Sequence, residues 1–183
     1  MEKIITTIPE VFLFKPKIYR DDRGFFYESF NLKLMNLDIS FVQENHSFSK
    51  HGVLRGLHYQ IKNIQDKLVR VIRGKVFDVA VDLRRNSPYF GKWVGEILSD
   101  ENKLSFFIPK GFAHGFYVLS DYVDFTYLCS DYYNPSSERG IIWNDPTIGI
   151  KWPLLSPPTL SKADANYPLL MQSLANDLPN VYN

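Results

Sequence analysis

The chain has 183 residues, 45% of them hydrophobic, enough for one domain spanning residues 1–183 with a sizeable core. Its formal net charge of +1 excludes a global field for nucleic acid or an anionic membrane, so an anionic ligand needs a local cluster of charge. A single cysteine, Cys129, excludes an internal disulfide framework and fits the reducing cytoplasm.

The first stretch, MEKIITTIPEVFLFKP, carries early charges and is broken by Pro9, so neither a signal peptide nor a membrane span is expected there. YESFNLKLMNL has room for about two helical turns. Between residues 4 and 152 the chain otherwise reads as short strands separated by turn residues, the pattern of an all-β sandwich or barrel. Fourteen Phe, eleven Tyr and three Trp agree, because aromatic side chains suit a pleated surface.

VLRGLHYQ, residues 53–60, is the first strand with unusual chemistry, since it places an arginine, a histidine and a glutamine among core residues. Strict alternation puts Leu54, Gly56, His58 and Gln60 on one face, with Arg55, Leu57 and Tyr59 on the other. For Arg55 and His58 to serve one site the strand has to bend, and Gly56 is the residue that permits it. LVRVIRG and KVFDVAVDLR meet at Gly74 and are predicted to form a hairpin. SPYFGKWVGEILS, KLSFFIP, GFAHGFYVLS and YVDFTYLCS follow as further strands. Cys129, in the last of these and without an adjacent histidine, is expected to be a small core hydrophobe. The tail after Pro157 is predicted to add a short helical segment.

PKGFAHGF contains Pro-x-Gly-x-x-His, which resembles the second metal motif of the cupin superfamily. GLHYQIKN, however, lacks the His-x-His pair of the first motif, so a cupin-type barrel is expected and a metal is not. Arg55 and Lys67, with Arg70 and Arg73 nearby, bring several cations to one predicted sheet. Buried cations need anionic partners, which a phosphate-bearing ligand would supply. Arg70 and Arg73 read better as solvated charges on the outer face. Tyr127 shares a predicted face with Phe125 and Cys129 and, taken alone, reads as a core aromatic. DYYNPSSERG sets Tyr132, Tyr133 and Glu138 in a loop, where an aromatic ring can stack on a base.

Together, YRDDRGFFYESF, FVQENHS, GVLRGLHYQ, QDKLVRVIRGKVFDVAVDLRRNSPYFGKW, LSDENK, FFIPKGFAHGF and YYNPSSERGIIWNDPTIGIKWP closely resemble the dTDP-4-dehydrorhamnose 3,5-epimerase family, over roughly residues 5 to 170. The resemblance implies an all-β, cupin-type jelly-roll barrel with a few short helices in the N-terminal region and C-terminal tail. It further implies a homodimer without cofactor or metal, acting on a nucleotide-sugar substrate, dTDP-4-dehydro-6-deoxy-D-glucose.

The same resemblance assigns roles. His58 is the base, oriented by a tail carboxylate that in LSKADANYP is Asp164. Lys67 stabilises the enolate, and Tyr127 returns a proton from the opposite face. Arg55 is a contact to the diphosphate; Arg23, Glu28, Gln43, Asn45, His114 and Glu138 match further substrate-contacting positions, and Tyr133 the aromatic that stacks on thymine. Ala163 stands where family members often carry a lysine before the tail aspartate, with Lys162 one residue earlier. Two other readings compete: an epimerase of a single centre in a related nucleotide-linked 4-keto sugar, which would share the base and acid, and a non-enzymatic or metal-dependent cupin that uses the barrel for binding.

Overall fold

The computed structural model describes residues 1–174 and 177–179. Thirteen strands run in chain order: β1 Glu2–Ile5, β2 Phe12–Lys15, β3 Tyr19–Asp21, β4 Gly24–Phe26, β5 Gln43–Lys50, β6 Leu54–Gln60, β7 Lys67–Arg73, β8 Lys75–Asp82, β9 Trp93–Ser99, β10 Ser105–Ile108, β11 Phe112–Val118, β12 Tyr122–Cys129 and β13 Glu138–Gly140. Two single-turn helices, α1 Leu32–Met35 and α2 Leu170–Ser173, complete the described elements. None of the helices is long and apolar enough to cross a membrane.

The strands form a six-stranded sheet in the order β1-β2-β10-β7-β12-β5 and a five-stranded sheet in the order β13-β6-β11-β8-β9. Every pairing within them is antiparallel. Among the described residues β3 and β4 pair only with each other, as an exposed hairpin.

Alternation decides which side chains meet between the two sheets. Val69 and Val71 of β7, Val76 and Ala80 of β8, Phe116 of β11 and Phe125 of β12 pack into one buried cluster. Each fully buried aliphatic or aromatic side chain there contributes about 1.5–3 kcal/mol. The outer face of the five-stranded sheet is covered in turn by Ile141, Ile148 and Leu170 of the C-terminal segment. On the outer face of the other sheet, Met35 of α1 packs with Phe12, Phe14, Leu68 and Phe107. The helix stops after one turn because Asn36 takes the left-handed conformation, φ 51°, and returns its N–H to the Lys33 carbonyl.

The expected hairpin at Gly74 does not form. β7 lies in one sheet and β8 in the other, so Gly74 is the corner where the chain crosses between them. Its φ of +92° suits glycine, and a Cβ there would run into the Tyr122 carbonyl. Across this corner Val69 and Val71 of β7 meet Val76 and Ala80 of β8 in the core shared by the two sheets.

The bend expected at Gly56 is present. Between His114↔His58 and Phe116↔Arg55 the β6–β11 register slips, with β6 carrying the extra residue. Gly56 has φ +128°, and the Gly56–Leu57 peptide is cis. A Cβ on Gly56 would lie 2.5 Å from the Gly115 Cα, and one on Gly115 would lie 2.7 Å from the Arg55 carbonyl oxygen. Two glycines back to back therefore let β6 press against β11 while Arg55 swings to the inner side with His58.

Candidate active site

At one end of the space between the sheets the apolar filling gives way to a polar cleft of about 370 Å³. The five-stranded sheet supplies Arg55, His58, His114 and Glu138 to its lining, and the facing sheet supplies Gln43, Asn45, Lys67 and Tyr127. Tyr133 closes the rim from the loop before β13.

Asp164 reaches this cleft from the tail. Its Oδ1 accepts a hydrogen bond from His58 Nε2 at 2.6 Å. Ser161 Oγ donates to Oδ2 at 2.6 Å, and the Gly56 N–H approaches Oδ1 at 3.4 Å. Burial alone would raise this carboxyl, but the hydrogen bonds from His58 and Ser161 outweigh it and hold Asp164 below the ordinary aspartate range. An ionised carboxylate only accepts, so Nε2 carries the proton and Nδ1 keeps its lone pair for the substrate.

Lys67 lies opposite. It keeps some surface open to the cleft, yet the protein around it strips enough water to push its ammonium below the usual lysine range. The carboxylates of Asp78 and Glu138 oppose that shift through their negative charge. Tyr127 is pushed up to about 12, first by burial and then by Cys129, with Arg55 acting the other way. At neutral pH it is an uncharged phenol with a proton to give.

Arg55 is aimed by β5: its Nε donates to Ser49 Oγ at 3.0 Å, and Nη2 to the Phe48 carbonyl at 3.2 Å. Gln43 donates to Asn45 Oδ1 at 2.9 Å and accepts the Tyr133 N–H at 2.9 Å. Tyr133 in turn donates its hydroxyl to Glu138 at 2.7 Å. Cys129 is buried against this wall, with Asn45 Nδ2 at 3.7 Å from its sulfur, which agrees with a packing role.

Ten of the twelve residues singled out from the sequence thus gather in one place: His58, Asp164, Lys67, Tyr127, Arg55, Gln43, Asn45, His114, Tyr133 and Glu138. Arg23 and Glu28 do not join them. Arg23 is paired with Asp21 at 2.6 Å on the exposed β3–β4 hairpin, and Glu28 accepts from Asn31 at 2.8 Å just beyond it. Neither Lys162 nor Ala163 lines the cleft.

The sequence reading missed Asp78. Its carboxylate is fully buried and takes His114 Nε2 at 2.9 and 3.1 Å, which fixes that ring as Asp164 fixes His58. Burial pushes the Asp78 carboxyl up, while His114 and Lys67 pull it back. Among the described residues no group of three or more His, Cys, Asp or Glu is arranged to hold a metal ion.

A hydrogen-bonded imidazole on one wall and a neutral phenol on the other, with an ammonium beside them, define an acid–base enzyme built inside a jelly-roll barrel. Comparison with known proteins narrows this. The family model described as dTDP-4-dehydrorhamnose 3,5-epimerase matches residues 5–172. The dTDP-4-dehydrorhamnose 3,5-epimerase of Pseudomonas aeruginosa is 58% identical over 161 residues, covering 86% of this chain and 89% of that protein. Its counterpart from Salmonella typhimurium is 54% identical over 179 residues, covering 95% and 98%. Among solved structures, the dTDP-6-deoxy-D-glucose-3,5-epimerase of Legionella pneumophila, in complex with dTDP-4-keto-L-rhamnose, superposes with a TM-score of 0.95 at 54% identity, covering 100% of this chain and 99% of that one. The chain belongs to the dTDP-4-dehydrorhamnose 3,5-epimerase family.

Proposed function

We propose that this protein inverts C3 and C5 of dTDP-4-dehydro-6-deoxy-D-glucose, yielding dTDP-4-dehydro-L-rhamnose. The observation that carries it is the placement of His58 and Tyr127 on opposite sheets. A sugar ring lying between them offers one face to a base and the other to an acid, which is what inversion at carbon requires.

C3 and C5 both flank the C4 ketone, so removing either proton leaves an enolate whose charge rests largely on the same oxygen. One cation can therefore serve both centres. In this reading His58 Nδ1 takes the proton, and Asp164 steadies the imidazolium that forms. Lys67 faces the enolate oxygen; loss of one such donor costs about 2.7–4 kcal/mol in other enzymes. Tyr127 then protonates the carbanionic carbon from the far side. Arg55 at the cleft suits the diphosphate, and Tyr133, anchored on the rim through its N–H to Gln43 and its hydroxyl to Glu138, suits stacking on the thymine.

The functional unit in this proposal is a homodimer. Tyr19, Phe25 and Phe26 of the hairpin are 54%, 52% and 66% exposed, which is costly for a free arm. A second copy that receives this arm across its cleft would bury the three rings and bring Arg23 and Glu28 to the substrate. The six-stranded sheet also ends in β5, whose outer edge has no partner strand among the described residues. A cytoplasmic setting belongs to the same proposal, since the lone thiol and the nucleotide-linked substrate suit a reducing compartment.

Incorporation of solvent deuterium tests the reaction directly. In heavy water, with the product trapped by a reductase, NMR should show label at both C3 and C5. Label at one carbon would reassign the protein to a single-centre epimerase, and no label would refute the proposed substrate.

A further inference from the structure

In the five-stranded sheet His58 is flanked on one side by His114 of β11 and on the other by Gly140 of β13. Gly140 has no side chain, so β13 itself leaves the space beside the imidazole unfilled. The ring of Tyr167 fills it from the tail. A Cβ built on Gly140 would lie 2.5 Å from two of the ring carbons and 2.6 Å from a third, so the ring rests directly on the Gly140 backbone. From there it meets the His58 imidazole edge-to-face, with centroids 5.7 Å apart and planes at 72°.

The segment that carries Tyr167 is the one that carries Asp164. The Ala165 N–H returns to the Ser161 carbonyl at 3.1 Å and the Asn166 N–H to the Ala163 carbonyl at 2.9 Å, closing a compact turn. Just after it the Pro168 carbonyl accepts the Ile142 N–H at 2.9 Å, fixing the exit of the turn beside β13. The tail thus touches His58 at two points, a carboxylate on Nε2 and an aromatic ring set edge-to-face with the imidazole.

Those two points do different jobs. The hydrogen bond to Asp164 settles where the outer end of the imidazole sits, but χ2 of histidine is broad, and the plane can still tilt about that anchor. Tilting the plane swings Nδ1, the atom that has to face the C–H bond. We infer that Tyr167, seated on Gly140, is a positioning residue that fixes the plane of His58 and so aims Nδ1 at the substrate. It acts through the ring rather than the hydroxyl. The phenol is pushed up to about 12 by burial, with Glu138 adding to it, and stays uncharged throughout the working range. Because this inference rests on His58 being the base, its test carries a readout that needs no turnover.

Tyr167→Ala is expected to lower kcat by about 10- to 100-fold, the cost of a misaimed reacting group. KM should stay within about two-fold, because the lost interaction concerns the transition state rather than binding. Tyr167→Phe, which keeps the ring, should rescue kcat. Without substrate, NMR of nitrogen-labelled protein should still show the His58 Nε2 proton held by Asp164 in the Ala variant, while the carbon-bound ring protons lose the shift imposed by the Tyr167 ring. If the Ala variant fails to fold, Tyr167→Leu, which keeps bulk without an aromatic ring, is read in the same way. An Ala or Leu variant with wild-type kcat would overturn the inference, as would a Phe variant as impaired as Ala. Loss of the Nε2 proton signal together with the ring shift would also overturn it, since Tyr167 would then merely anchor the tail. Wild-type protein that fails to exchange either carbon would instead refute the epimerase proposal, leaving the imidazole spectrum to decide the role of Tyr167.

Discussion

The His58–Asp164 pair makes the sharpest demands on single side chains. His58→Ala should abolish exchange at both carbons, a loss of about 10²- to 10⁴-fold for a positioned base. Substantial retained turnover would remove His58 from that role. Asp164→Asn should leave the fold intact but cost about 10²-fold or more in kcat, because an amide neither enforces the Nε2–H tautomer nor offsets the imidazolium charge. Tyr127→Phe is expected to spare washout of substrate protons on the His58 side more than completed inversion. Equal loss of both would reduce Tyr127 to a wall of the cleft. Asp78 gives a pH prediction. Negative charge beside Lys67 favours its ammonium form, so Asp78→Asn should let that ammonium lose its proton at lower pH. The alkaline limb of the kcat profile should then move to lower pH. An unchanged limb in a variant that still melts cooperatively would break the link between Asp78 and Lys67. His58 was legible in VLRGLHYQ because a polar residue among core residues stands out. Asp78 was not, because KVFDVAVDLR reads as one more apolar strand and its partner His114 lies 36 residues away. The available signal was its inward register with Val76 and Ala80.

Strands and corners place these groups, and β6 is the element on which most depends. Arg55 and His58 share a cleft only because the strand gains a residue at Gly56 while Gly115 lets the neighbouring backbone close in. Gly56→Ala would force a Cβ to 2.5 Å from the Gly115 Cα at a φ of +128°. Backbone strain alone costs about 1–3 kcal/mol at such a position. A fall in Tm of about 4–8 °C follows from about 2 kcal/mol for a chain of this size. Activity should suffer beyond what stability explains, because relieving the clash by restoring a regular ladder would turn Arg55 outward. A variant with native Tm and full activity would mean that the bulge does not depend on glycine. The bend was legible because Arg55 and His58 could not otherwise serve one ligand. The crossing at Gly74 was misread as a hairpin for a physical reason: two strands around one glycine look alike whether they pair or turn a corner. What separates them is a tertiary fact, the approach of the Tyr122 carbonyl to Gly74, which no local pattern carries.

At the scale of the whole molecule, strand content and a barrel-like closure could be read from turn spacing and aromatic content, whereas the role of the N-terminal arm could not. YRDDRGFFYESF carries Arg23 and Glu28, yet within one chain both stay on or beside an exposed hairpin, engaged with Asp21 and Asn31. Sequence motifs do not say which copy of a chain they serve. If the arm acts on a second copy, Arg23→Ala should raise KM by about ten-fold or more, as expected for losing a charge-assisted hydrogen bond to substrate. The decisive experiment combines that variant with His58→Ala in one dimer, by co-expression with two different tags and selection for both. Each variant alone has every site defective. In the mixed dimer, the arm of the His58→Ala chain meets the intact His58 of the Arg23→Ala chain, so one site should regain wild-type KM with normal turnover. An arm that serves its own chain would leave both sites of the mixed dimer broken. Light scattering on the unmodified protein sets the premise: a one-chain mass at assay concentration would rule out the shared site, and the three exposed rings of the hairpin would then need another cover.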